Sequence, residues 1–99
     1  MAHSYRLRVP RSLDELLHGL HPGLRRKIRA GLDVILSEPL AGKELRDDLQ
    51  GYRSFRIGRF RIIYRIAERH VIDLVALGPR RTIYEDTSRL LRRERDKKR

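Results

Sequence analysis

Hydrophobic positions change their period along the chain, and each change predicts an element. Tyr5, Leu7 and Val9 alternate with Arg6 and Arg8, which predicts a short strand closed by Pro10. Beyond it the period lengthens. Leu13, Leu16, Leu17 and Leu20 fall at helical spacing, and Ser12 with Glu15 three residues on matches a capping box, so a helix is expected to start at Ser12. Gly19 and His21-Pro22-Gly23 break it. Leu24, Ile28, Leu32, Ile35 and Leu36 then predict a second helix from about Pro22 to Ser37, with Arg25, Arg26, Lys27 and Arg29 on its wet side and Pro39 as its stop. Residues 40–51 read as a connecting loop that holds Lys43, Glu44, Leu45 and Leu49.

From Tyr52 the period is two. Phe55, Ile57, Phe60, Ile62, Tyr64 and Ile66 mark two strands around Gly58-Arg59, a pair that suits a type II′ hairpin turn. Val71 to Leu77 is almost continuously apolar, as expected of a strand covered on both faces, and Gly78-Pro79 ends it. The stretch from about Asp86 to Arg95 reads as a short helix capped by Asp86, Thr87 or Ser88. The predicted class is α+β: a short N-terminal strand, a two-helix hairpin, a three-stranded antiparallel meander and a short basic C-terminal helix or tail. The helix pair is expected to cover one sheet face and leave the other for function.

Length fixes the scale. Ninety-nine residues make one domain, taken as 1–88 with a basic tail over 89–99. Such a chain buries roughly two-thirds of its unfolded surface, enough for one core. Lys and Arg total 24 against 13 Asp and Glu, a net charge of +11. Arginine supplies 20 of the 24, and its planar fork of donors suits phosphate oxygens. The absence of cysteine excludes disulfides, zinc-thiolate sites and a thiol nucleophile. No apolar run approaches the roughly 18 residues of a membrane span, and Met1-Ala2-His3-Ser4-Tyr5 has no hydrophobic signal core, so a cytoplasmic setting without membrane contact is expected. His3, His18, His21 and His70 show no ligand spacing on one face, so neither a metal nor another cofactor is expected.

The charge is concentrated. Residues 11–50 carry seven basic and seven acidic side chains and are neutral. Residues 51–69 carry six arginines against Glu68, a net +5. Residues 89–99 carry seven basic side chains against Glu94 and Asp96, again +5; they read as a solvated charge run or as a nucleic-acid arm. The middle patch lies in the hairpin. With Gly58 and Arg59 as the loop, Ile57 faces Phe60 and Phe55 faces Ile62 on the core side. The other side pairs Arg56 with Arg61, flanked by Tyr52, Ser54, Ile63 and Arg65. Like charges directly across a ladder destabilise it unless they splay into water or meet a polyanion. Arg80-Arg81 follows the last strand, with Tyr84 three residues on. Arginines converging from two strands and a loop, beside one phenol, suit a phosphodiester; read singly, they are surface cations and a half-buried anchor.

These residues also carry a family resemblance. The run from Gly51 to Ile66 resembles the central hairpin of the RelE/ParE toxin superfamily, Leu77 to Tyr84 its last strand and C-terminal segment, and Ser37 to Leu45 its helix-to-sheet link. The likeness covers about residues 4–86. It implies the toxin of a type II toxin–antitoxin pair, neutralised by a cognate antitoxin that covers the basic face and carries any contact with DNA. RelE-like members are implied to cleave mRNA, often in the ribosomal A site. ParE-like members share the fold but poison DNA gyrase. The RelE pattern is matched at Arg56, Arg61, Arg80 and Tyr84, with Arg53 at a further basic position. Departures are that lysine positions of some members are Arg here or absent, and Phe55 stands near a second basic position of others.

The retained Tyr84 favours a metal-independent endoribonuclease. In that reading Arg61, Arg80 and Tyr84 are catalytic, while Arg53, Arg56, Arg65, Arg81 and Lys43 contact RNA phosphates. Arginine stays protonated at neutral pH, so Arg61 and Arg80 are expected to stabilise phosphorane charge. Tyr84 is expected to transfer a proton or to stack on a base. A gyrase poison and an inactive basic RNA-binding relative are the alternatives.

Overall fold

The computed structural model describes residues 4–97. The chain begins with strand β1 (Arg6–Arg8), followed by helices α1 (Arg11–His18) and α2 (Pro22–Ser37). A 3-10 turn over Pro39–Ala41 leads into strand β2 (Lys43–Glu44), and a second over Asp47–Leu49 leads to the hairpin of β3 (Arg53–Ile57) and β4 (Phe60–Ala67). Strand β5 (Val71–Pro79) and helix α3 (Ile83–Lys97) complete the fold. The five strands form one mixed sheet in the order β1-β5-β4-β3-β2. The α+β class expected from the sequence is observed.

The sheet has one strand more than expected. β2 lies in the segment read as a loop and pairs antiparallel with β3 through Lys43↔Ser54 and Glu44↔Arg53 only. Two polar residues give no period to detect. β1 is parallel to β5, with Leu7 opposite Ile72 and Arg8 opposite Asp73, so it closes the far edge outside the meander.

Both N-terminal helices lie where the periodicity puts them, but the first starts differently. Pro10, extended at φ −60° and ψ 150°, takes the cap position of α1. Its carbonyl accepts from the N–H groups of Leu13 and Asp14 at 3.0 Å each. The expected capping box is absent, because the helix begins one residue before Ser12 and Ser12 makes no cap bond. Glu15 faces Arg11 instead, at 3.6 Å from its Nε. α2 keeps its expected bounds. His21 Nδ1 accepts from Gly23 N–H at 3.0 Å, and Pro22 occupies the first helical position, where its missing N–H costs nothing.

The main core lies between this helix pair and one sheet face. Leu13, Ile28, Leu32 and Ile35 meet Ile62, Tyr64, Ile72, Leu74 and Leu77, and Phe55, Ile57 and Phe60 pack beside them. The hairpin register is the expected one, including Arg56↔Arg61, and Gly58 is left-handed at φ 58° as a type II′ turn requires of its first loop residue.

The opposite face is not left open. α3 starts at Ile83, earlier than expected, and packs Ile83 on Ile63 and Ala76 with Leu45, Tyr52, Val75 and Tyr84 around them. Thr87, expected as a cap, is buried one turn inside the helix and donates its hydroxyl to the Ile83 carbonyl at 2.6 Å. Burial of Ile83 and Thr87 on the sheet, rather than a polar cap, sets the start of α3. The helix also runs unbroken through residue 88, so the basic end over 89–97 is its second half; residues 98 and 99 lie outside the described residues.

Candidate functional site

The face under α3 gathers much of the predicted chemistry. Alternation along β4 puts Arg61, Ile63 and Arg65 on it, and alternation along β3 adds Ser54 and Arg56. Lys43 joins through its pairing with Ser54. α3 brings Tyr84 down onto the same face. The central contact joins three of these residues. Arg61 Nη1 donates to Ser54 Oγ at 3.1 Å, and Tyr84 Oη lies 3.1 Å from the same oxygen. The Arg61 guanidinium carbon stands 5.7 Å from the Tyr84 ring centroid, a cation–π contact. Arg61 Nε is buried and has no hydrogen-bond partner. A donor left so is unfavourable by about 1–3 kcal/mol.

The other predicted residues fall into two groups. Arg56 is exposed beside Arg61, its Nε donating to the Gly58 carbonyl at 3.3 Å. Lys43 and Tyr84 line one open cleft with Leu45, Arg46 and Leu49. Arg80 and Arg81 are exposed in the turn before α3, and Arg80 N–H donates to the Arg59 carbonyl at 2.7 Å. That bond fastens the segment after β5 to the hairpin tip.

Arg53 and Arg65 have other partners. Arg53 points to the core side of β3 and donates from Nη1 to the Gly42 carbonyl at 2.8 Å and the Leu40 carbonyl at 3.4 Å. Arg65 donates to Asp73 Oδ2 at 2.8 Å, and Arg8 pairs with both oxygens of the same carboxylate. The Arg8 guanidinium holds the Asp73 carboxyl below the usual carboxylate range, with Arg65 adding to the effect and partial burial opposing it.

Sequence reasoning singled out neither Ser54 nor Arg59. Arg59 was legible in principle: extending the ladder by Phe60↔Pro79 puts the hairpin turn beside Arg80. Ser54 needed the position of α3, which strand periodicity does not give. Among the described residues no group of three or more His, Cys, Asp or Glu could hold a metal ion, and no helix is long and apolar enough to cross a membrane.

Known proteins share this arrangement of elements. No curated protein matches the chain at a significant level. Among solved structures, the RelBE2 toxin–antitoxin complex of Mycobacterium tuberculosis matches at TM-score 0.69 and 30% identity, over 79% of this chain and 100% of that one. A mutant of the Escherichia coli toxin RelE in the free state matches at TM-score 0.68 and 16% identity, over 86% and 90%. The archaeal RelE–RelB complex of Pyrococcus horikoshii matches at TM-score 0.64 and 24% identity, over 79% and 97%. The last two likenesses concern the fold. The family described as the ParE toxin of the type II toxin–antitoxin system parDE matches residues 5–84, from the first strand to Tyr84. With the helix pair and the whole sheet inside that match, the chain belongs to the RelE/ParE superfamily of type II toxins.

Proposed function

We propose that this toxin is a RelE-like endoribonuclease that cleaves mRNA on the ribosome and is neutralised by a cognate antitoxin. The observation that carries the reading is the cluster of Arg61, Ser54 and Tyr84, with Arg61 Nε unpartnered and Arg56 alongside. In the reaction the ribose 2′-oxygen attacks the adjacent phosphorus as its proton passes to water. The bond from phosphorus to the 5′-oxygen breaks, and that oxygen takes a proton. Arg61, held by Ser54, and Arg80, carried on a backbone anchored to the hairpin tip, offer cationic donors to the phosphorane oxygens, worth about 10²–10³-fold for each well-placed donor. Tyr84 carries the O–H that protonates the leaving 5′-oxygen. Arg56, Arg81 and Lys43 hold neighbouring phosphates. Arg53 and Arg65 act at a distance, by fixing the β2 link and the β1 edge of the sheet. An antitoxin segment with acidic side chains would match the basic face in charge.

Primer extension on a reporter mRNA in a reconstituted translation mix tests the reading. Discrete cuts within the reading frame are expected from the wild type, falling at least about 100-fold in Arg61→Ala and Arg80→Ala. Omitting ribosomes should abolish them. A second reading, a gyrase poison, is favoured by the family description naming ParE. Intact mRNA combined with inhibited gyrase supercoiling would establish that reading instead.

A further inference from the structure

Ser54 is 2% exposed, and its hydroxyl meets groups from two other elements. Arg61 comes from β4 and Tyr84 from α3. Ser54 is itself fixed by the sheet, opposite Ile63 on one side and Lys43 on the other. A hydroxyl has one hydrogen to donate and two lone pairs to accept with. The guanidinium only donates, so it occupies one lone pair. The remaining bond, to the phenol, can run in either direction. Ser54 can accept from a neutral tyrosine or turn and donate to a tyrosinate. Among the described residues this is the one hydrogen bond of the Tyr84 hydroxyl.

We propose that Ser54 is a positioning residue: it locks the Arg61 guanidinium and the Tyr84 phenol into one constellation and follows the phenol through its change of charge. The second half rests on the endoribonuclease reading; the first does not. When Tyr84 turns its O–H from Ser54 to the departing 5′-oxygen and gives up the proton, the phenolic O–H bond breaks and its electron pair stays on the phenolate oxygen. The Ser54 O–H then turns to donate to that oxygen while Arg61 keeps its bond to Oγ. No further reactant is needed. The chemical class of the partner group follows as well: only a hydroxyl at this position serves both a permanent donor and a group that alternates between donor and acceptor. An alanine leaves both unheld.

The test uses the full chain with Ser54→Ala, Ser54→Thr and Tyr84→Phe, each with thermal melting as a folding control. In the free protein, NMR of the Arg61 Nε–H and terminal NH₂ groups reads how far the guanidinium is restrained. Ser54→Ala should release it, and Ser54→Thr, which restores a hydroxyl on a strand, should hold it again. On ribosome-bound mRNA, Ser54→Ala should slow single-turnover cleavage about tenfold or more, Ser54→Thr should recover most of the rate, and Ser54→Ala in a Tyr84→Phe background should cost distinctly less than in the wild type, because only the hold on Arg61 is then left to lose. An unchanged Arg61 signal in Ser54→Ala, or an equal rate loss in both backgrounds, overturns the proposal. A wild type that leaves RNA intact while Ser54→Ala frees Arg61 overturns the nuclease reading and leaves the positioning role standing.

Discussion

Asp73 shows how one side chain can tie three strands together. It stands on β5 between Arg8 on β1 and Arg65 on β4, and both cations bond its carboxylate. Its folded-state carboxyl ionises below the ordinary range, so it contributes stability above the unfolded value of about 3.9. That contribution is lost as pH falls through the lowered folded value. Asp73→Asn should therefore lower stability at pH 7 by about 1 kcal/mol, the scale of a partly exposed ion-pair network. It should also flatten the acid limb of the stability profile between about pH 5 and 2. Urea titrations across pH check this. An Asp73→Asn profile parallel to that of the wild type would show that the pairs add nothing to the fold.

At the level of elements, the link from α2 to β2 is the most tightly specified part of the sheet edge. The buried Tyr64 phenol donates to the Pro39 carbonyl at 2.6 Å and accepts from Gly42 N–H at 2.8 Å. Its burial also pushes the phenol's ionisation up. A Cβ on Gly42 would stand 2.5 Å from that hydroxyl and 2.7 Å from a ring carbon. Tyr64 cannot retreat, because its ring fills the core. Gly42→Ala should thus cost about 1–3 kcal/mol, read as a lower denaturation midpoint at unchanged m-value. A midpoint equal to the wild type's would mean the link shifts freely. This link also marks the limit of what the sequence discloses. Alternating residues and Gly58 make the β3–β4 hairpin and its Arg56–Arg61 pair legible, and Pro22 and Pro39 frame α2. β2 is too short to show a period, and the start of α3 follows from burial of Ile83 and Thr87, a tertiary effect. The candidate site divides the same way. Arg61 and Arg56 follow from register, whereas the meeting of Ser54 with Tyr84 depends on α3 folding back over the sheet.

For the whole molecule the dominant quantity is the +11 charge. If RNA phosphates lie along the Arg56 side of the sheet, affinity falls steeply with salt. The logarithmic slope is about −0.7 for each phosphate neutralised on a single strand. Arg56→Gln should make that slope shallower by about 0.7, while Arg26→Gln on the far side of α2 should leave it unchanged. Equal changes in both would indicate that RNA binds the chain without a preferred face. The strand order carries a further consequence, one of timing. Arg8 and Asp73 are separated by 65 residues, and β1 pairs only with β5. Contacts so distant in sequence are slow to form, and a chain emerging from synthesis offers its N-terminal elements first. β1 must therefore wait beside α1 and α2 until β5 arrives. Arg80 and Tyr84 follow later still, so a nascent chain carries the hairpin arginines before it carries the groups that complete their surroundings.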